Sequence, residues 1–310
     1  MRGLGGFLGY RLFRTLIALW LVSTVVFVVM RLSGDPVPLL LPPDAPIAEM
    51  NRVRRDLGLD RPLAVQYGVF LVAVARGDFG RSIHFRQPAM EVALSYLPAT
   101  FELGLAAFVI AVVVAFPVGV LSAIRRNSVL DHAAMGLALI GQSAPTFFIG
   151  ILFILVLSLR LDLFPTSGRG DWHHLVLPAL TLGAFAMASI ARITRSAVLE
   201  VQRADYIRTA RAKGVGEFLV VAKHTLKNAA LPILTITGLQ FGTLLGGAVV
   251  TETVFAWPGM GRLAIQSIYN RDYPVVQSTV FLAAVLFIAI NFVLDLLYGV
   301  LDPRAREASA

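Results

Sequence analysis

No cysteine occurs among the 310 residues. That absence excludes a disulfide framework, a thiolate metal centre and a lipid-modified cysteine, and it leaves the redox compartment open. Lysine is almost missing too, with 3 lysines among the 27 basic residues. Charge of either sign is scarce: charged residues make up 15% of the chain against 57% hydrophobic, and the mean hydropathy is +0.75. A soluble domain carries roughly 25% charged residues, so the composition excludes an ordinary soluble enzyme or binding module and places the chain in a membrane. Two catalytic signatures are absent as well. There is no Gly-x4-Gly-Lys-Ser/Thr to cradle ATP phosphates and no His-Glu-x-x-His to hold zinc. The pair His173-His174 beside Trp172 reads as surface histidines of a short outer loop rather than as metal ligands. We find no low-complexity tract and no internal repeat.

What the chain has in quantity is apolar runs. About 20 apolar residues cross a hydrocarbon core of roughly 30 Å, and six windows qualify, near 11–31, 98–124, 133–159, 175–195, 231–253 and 277–300. The first follows Arg2, Arg11 and Arg14, but its apolar run from Thr15 to Met30 is long and Arg31-Leu32-Ser33-Gly34-Asp35-Pro36 offers no small-x-small cleavage site, so it reads as an uncleaved signal anchor. The apolar stretch 63–75 is too short to cross and is interrupted by Gln66 and Tyr67, which predicts an interfacial helix. With the N-terminus inside, the inner side collects fifteen basic and six acidic residues, in keeping with the positive-inside rule. The formal net charge of +8 then reflects topology and anionic lipid headgroups, with no need of a nucleic-acid partner.

The expected organisation is an N-terminal anchor helix at 1–31, an extracytoplasmic segment at 32–97, a core of five helices at 98–300 and a cytoplasmic tail at 301–310. Within the outer segment, Pro36, Pro38, Pro42, Pro43 and Pro46 argue against helix at first. A helix can start near Pro46 and stop at Gly58, and a short apolar helix follows Pro62 and ends at Gly77.

Between the fourth and fifth windows lies the cytoplasmic loop 196–230, whose centre reads Asp205-Tyr206-Ile207-Arg208-Thr209-Ala210-Arg211-Ala212-Lys213-Gly214, with Glu217 following and then His224-Thr225-Leu226-Lys227-Asn228-Ala229-Ala230-Leu231-Pro232. Small Ala210 and Ala212 allow close approach. Gly214 permits a turn between two short helices, and Arg208, Arg211 and Lys213 supply donors for a partner's acids or carbonyls. Charge alone would fit an ordinary positive-inside loop; the glycine-centred two-helix pattern favours a docking foot. This segment resembles the signature loop of the membrane subunits of ATP-binding-cassette importers. The general signature runs Glu-Ala-Ala, three residues, Gly, nine residues, Ile-x-Leu-Pro. Only Ala210, Gly214 and Leu226 match it strictly, with Arg208-Thr209-Ala210 in place of Glu-Ala-Ala. That departure is similar to the peptide-permease branch. The outer phrases Gly34-Asp35-Pro36, Leu57-Gly58-Leu59-Asp60-Arg61-Pro62 and Gly77-Asp78-Phe79-Gly80-Arg81-Ser82 resemble the B-type permeases of dipeptide, oligopeptide and nickel importers. So does Glu252-Thr253-Val254-Phe255-Ala256-Trp257-Pro258-Gly259-Met260-Gly261. The resemblance covers essentially the whole chain.

What the resemblance implies is an all-α integral membrane protein with six transmembrane helices and the type I importer permease fold. Implied partners are a second homologous permease in a heterodimer, one or two cytoplasmic ATPases and an extracytoplasmic solute-binding protein that delivers peptide or a peptide-like solute. The chain itself would be non-catalytic and free of cofactor, with ATP and magnesium bound by the ATPase. The expected location is a bacterial cytoplasmic membrane, with both termini inside. A stand-alone ion-coupled transporter is the alternative; it would show inverted repeats and broken helices at mid-membrane.

Polar residues inside the spans are costly in lipid and so are weighed singly. Gln142, Ser143, Thr146 and Gly150 recur at helical spacing in the third window and either line a path or bond to neighbouring helices. In the fifth window Gly238, Gly242 and Gly246 fall within about 80° of one another at roughly 100° per residue, a close-packing face. Gln240, Thr243, Gly247 and Thr251 fall on the other side. We expect Gln240, Thr243 and Thr251 to line the translocation path, with Glu252, Trp257, Pro258 and Gly259 near an outer gate; hydrogen bonding between helices is the alternative. Asp295 is expected to pair with Arg192 or Arg195, a proton relay being the other use of such a residue.

Overall fold

The computed structural model describes residues 4–301 apart from 33, 36, 43 and 57, and every regular element among them is a helix. In chain order these are α1 (Leu4–Leu32), α2 (Val37–Leu40), α3 (Ile47–Asp56), α4 (Leu63–Ala75), α5 (Ala89–Ile124), α6 (Val129–Ser143) and α7 (Thr146–Phe153), which runs on as a π-helical stretch Ile154–Arg160. There follow α8 (Trp172–Gln202), α9 (Asp205–Ala212), α10 (Glu217–Leu219) with a π-helical stretch Val220–Thr225, α11 (Leu226–Gly246), α12 (Ala248–Val254), α13 (Met260–Tyr269) and α14 (Tyr273–Leu301). Among the described residues four helices are long and apolar enough to cross a membrane, and up to six spans result if each of two bent pairs counts as one. All six predicted windows fall on these elements.

The breaks have local causes. Ser128 caps α6 by accepting the Asp131 N–H at 3.2 Å, and Ala144, held extended (φ −75°, ψ 135°) by the following Pro145, ends it. The chain then turns by 112° into α7, so the third window is not the straight span expected. The fifth bends by 52° between α11 and α12. Prolines tolerated inside α8 (Pro178) and α11 (Pro232) do not stop those helices.

The chain forms two compact units. One contains the described residues up to 99 together with 258–289. Here the proline-rich start does form one helical turn, α2, contrary to expectation: Pro38 sits in the first turn, where its missing N–H costs nothing, and Asp35 accepts the Val37 N–H at 3.0 Å. Helices α3 and α4 both end in the same pair of backbone bonds, closed by left-handed Gly58 (φ 65°) and Gly77 (φ 71°). The glycines of two family-like phrases are thus helix stops. Phe79, Ala89, Val92, Leu263 and Val275 make this unit's core. Asp272 is buried and organises the segment after Gly77, accepting the Ser82 hydroxyl and the His84 N–H. The thirteen-residue α4 lies on α1, with Tyr67 hydrogen-bonded to Thr24 at 2.6 Å and its ring tilted against Phe27.

The other unit contains residues 100–257 and the described residues from 290 onward. Its centre is α8, packed on α6, α7 and α11. Glycine lets α8 approach α5 closely: a Cβ at Gly119 would lie 2.6 Å from the Ala191 carbonyl oxygen, and one at Gly183 would lie 2.9 Å from that of Ala107.

Candidate functional site: the glycine-centred foot and the polar residues of the apolar helices

Asp205 opens α9, and Ile207 is the residue on it that is fully buried. Three residues further on, Ala210 and Arg211 provide the carbonyls that stop the helix. Gly214 N–H bonds to Arg211 at 2.9 Å and Val215 N–H to Ala210 at 3.3 Å, with Gly214 left-handed at φ 79°. The two-helix foot joined at glycine is therefore formed as expected. Across the turn, the Arg211 guanidinium donates to Glu217 twice, at 3.0 and 2.6 Å. Those bonds hold the Glu217 carboxyl below the ordinary glutamate range and raise the Arg211 pKa. Arg208 pairs loosely with Asp205 at 3.5 Å, and the Thr209 hydroxyl bonds back to the Asp205 carbonyl.

The inner side of the foot is anchored by Ile207, Val220, Val221 and Thr225, all buried. Its outer side is open. Tyr206, Arg208, Thr209, Arg211, Ala212, Lys213, Gly214 and Glu217 are exposed and Ala210 half-buried. Phe218 and Leu219 stand 83% and 53% exposed beside them; no hydrophobic periodicity singles these two out in the sequence. Aromatic, aliphatic and cationic groups on a rigid hairpin suit a protein surface bearing an apolar pocket with acids around it.

The path residues are placed less as expected. Gln142 and Ser143 end α6 while Thr146 begins α7, so the 112° turn between them breaks the helical stripe proposed for these residues and Gly150. Gly150 is buried instead: a Cβ there would meet Thr181, Val254 and Phe255 at 3.2–3.3 Å. On α11, Gly238 and Gly242 are buried, but Gly246 is exposed and a Cβ there would meet nothing within 4 Å, so it does not belong to a packing face. Gln240 is buried and accepts from the Thr243 hydroxyl at 3.1 Å; Thr243 is exposed. Thr251 is buried on α12, beyond the 52° bend, so its angular relation to Gln240 does not follow from counting along a single helix.

The gate residues are covered within the chain. Glu252 is fully buried and accepts the Thr100 hydroxyl at 2.7 Å. Trp257, 1% exposed, donates its backbone N–H to the Glu252 carbonyl at 2.8 Å, closing a turn in which Ala256 is left-handed at φ 50°. That conformation costs a non-glycine residue about 1–2 kcal/mol. The loop before α8 lies on this turn: Gly168 N–H reaches the Phe255 carbonyl at 2.8 Å, and Arg169 sits 5.9 Å from the Trp257 ring while bonding Glu102. Pro258 and Gly259 follow in sequence and lead into α13. Asp171 caps α8 and accepts from His173 and His174, which holds its pKa down at about 2. The histidines thus serve a helix cap.

The main polar cluster that sequence reasoning missed joins Asp131 to Arg195. The guanidinium reaches both carboxylate oxygens, at 2.6 and 2.7 Å, and Asp131 is 2% exposed. Arg195 thus has a carboxylate partner in Asp131, while the expected pairing of Asp295 with Arg192 or Arg195 lies outside the described residues, because the Asp295 side chain is not among them. The capping pattern Ser128-x-x-Asp131 marks a helix start, but no sequence signal links it to a residue 64 positions away.

Comparison with known proteins places this geometry. Residues 115–307 match the family described as binding-protein-dependent transport system inner membrane component, and residues 5–104 match its N-terminal companion. The chain is 44% identical over 298 residues to the glutathione transport system permease protein GsiC of Pectobacterium atrosepticum, covering 96% of this chain and 97% of that one. The same protein of Escherichia coli matches at the same identity and coverage. Among solved structures, an inward-facing MetNI methionine ABC transporter matches with a TM-score of 0.58 at 22% identity, over 69% of this chain and 97% of that one. An amino acid ABC transporter with histidines matches at 0.54 and 18%, over 67% and 92%. These two likenesses support the fold.

Proposed function

The chain belongs to the binding-protein-dependent transport system inner membrane components, and from that premise we propose how its parts divide the work. It is a permease component of an ABC importer of the peptide-transporting type, and the stand-alone ion-coupled reading is set aside. The observation that supports the finer reading is the foot. A hairpin stiffened by a capping motif and by Arg211–Glu217 presents Tyr206, Arg208, Lys213, Phe218 and Leu219 outward. Such a surface fits a cytoplasmic ATPase, which would bind the ATP and magnesium. The permease works as one half of a heterodimer with a second permease, and both termini lie in the cytoplasm. The segment 32–97 faces a solute-binding protein outside. Gln142, Ser143, Thr146, Gln240, Thr243 and Thr251 line the path once the second permease is in place, and the turn from Glu252 to Gly259 forms its outer gate.

Mechanistically, ATP-driven closure of the ATPases displaces the foot, and the attached α8 and α11 carry that displacement into the membrane. The solute class is a small peptide, with a glutathione-like tripeptide the first candidate by similarity to the named relatives. Co-expression with the ATPase, second permease and binding protein, followed by reconstitution into vesicles, tests this directly. ATP-dependent uptake of labelled glutathione or dipeptide is expected only when all components are present. Uptake by this chain alone, driven by an ion gradient, would overturn it.

A further inference from the structure

We infer that Asp131 and Arg195 are positioning residues for coupling: they clamp the ends of α5, α6 and α8 near the foot, so that these helices move with it as one lever. The inference rests on the reading of the foot as the ATPase's attachment. Four donors converge on one carboxylate. Oδ1 takes the Ser122 hydroxyl of α5 and Arg195 Nε of α8; Oδ2 takes the Asn127 backbone N–H at 3.0 Å and Arg195 Nη2. The carboxylate belongs to α6 and is 2% exposed, so one group holds three helices and the turn between two of them. A planar fork on two oxygens fixes orientation as well as distance. Either helix sliding or rotating relative to the other would strip a nearly buried charge of its donors.

Its place in the chain gives the clamp its role. Arg195 lies seven residues before Gln202, where α8 ends, and ten before Asp205, where the foot begins. Directly around it the packing leaves little slack. Gly119 on α5 meets Ala191 and Thr194 on α8 so closely that a Cβ would stand 2.6 Å from the Ala191 oxygen. Ala123, Ala197, Val198, Ala229 and Ile233 form a buried cluster joining α5, α8 and α11. A close-packed region passes a displacement on rather than absorbing it. At its start α6 is hydrogen-bonded to α5 and α8 through Asp131, whose own N–H is capped by Ser128, so the start of α6 would be the first part to give way if the fork were lost.

The test uses the complete transporter in vesicles and R195K, which keeps the charge but loses the fork, together with the charge swap D131R/R195D. R195K is expected to hydrolyse ATP within about twofold of the wild type while solute moved per ATP falls by about tenfold, the usual scale of a coupling between sites. The swap should recover most of that ratio. A second measurement exploits the absence of cysteine: spin labels at R126C, in the turn before α6, and R203C, at the end of α8. Wild-type protein should give one narrow distance distribution with and without ATP, and R195K a broad one. A wild-type transport-to-hydrolysis ratio in R195K, or an unchanged narrow distribution, would overturn the clamp. So would equal loss of transport and hydrolysis that tracks complex yield and that the swap fails to repair. If no ATPase binds the foot, the proposed function fails by itself, and the label distances of the wild-type and R195K permease still decide whether the fork holds α6 to α8.

Discussion

Replacing Gly214 isolates backbone strain in the foot from every other effect. Nothing lies within 4 Å of a Cβ built at this position, so a side chain meets no neighbour. The cost of a substitution is then set by φ, which is 79°. An L-residue held left-handed loses roughly 1–2 kcal/mol, and Asn loses less because its short polar side chain tolerates that region. Proline is worse. Its ring fixes φ near −65° and removes the N–H that bonds Arg211 at 2.9 Å, so the turn cannot form at all. Because 1–2 kcal/mol is a factor of about 5–30 in an equilibrium, Gly214→Ala should weaken ATPase binding by that factor. Gly214→Asn should lie near the wild type, and Gly214→Pro should abolish the complex. Titrating the ATPase onto the permease in nanodiscs reads the order directly. Equal affinity for Gly, Ala and Asn would refute the claim that the preformed turn is what the ATPase binds.

Other consequences follow from packing, titration and exposure. Gly119→Ala should cost about 1–3 kcal/mol of stability through overpacking, seen as faster thermal inactivation in detergent, whereas Gly136→Ala, where a Cβ meets nothing within 4 Å, should not. Glu217 has a folded pKa held below its ordinary value, first by the hydrogen bonds from Arg211. Its stabilisation is therefore fully present above about pH 4.3 and is lost as pH falls through the lowered value. Both groups are about half exposed, so the loss is only ~0.2–1 kcal/mol; faster hydrogen exchange at 213–219 in acid, absent in Glu217→Gln, would report it. Cysteine at 243 should react with a water-soluble thiol reagent in the lone permease, while cysteines at 240 and 251 should be protected, since Gln240 and Thr251 are 7% and 1% exposed. In the assembled importer the path reading requires 240 and 251 to become reactive in one nucleotide state, and protection in every state would remove them from the path.

The long apolar elements and the foot were legible in the sequence because their causes are local. Twenty apolar residues predict a span wherever they occur, and a glycine at the end of a helical run predicts a left-handed cap; Gly58, Gly77 and Gly214 all adopt it. The proline-rich start was read too strictly, since Pro38 fits within a first turn.

The polar stripes failed for a different reason. Counting 100° per residue presumes an unbroken ladder of hydrogen bonds, and the ladder breaks at Ala144-Pro145 and bends at Gly247, each time inside the run that was counted. Pro145 announced the first interruption, yet the 112° angle depends on what α7 packs against: buried Gly150 meets Thr181 on α8 and Val254 on α12. The same limit hides the clamp. In one dimension Asp131 is a capping acid, and Arg195 is a positive-inside charge or a partner for Asp295, so each has a sufficient explanation and nothing points the two at each other. Only the close crossing of α5 and α8 at Gly119, together with the start of α6 at Ser128, brings them within 2.7 Å. Residues that satisfy a local rule and a tertiary one at once are the hardest to find in sequence, and here one of the two, Arg195, lies ten residues before Asp205, where the foot begins.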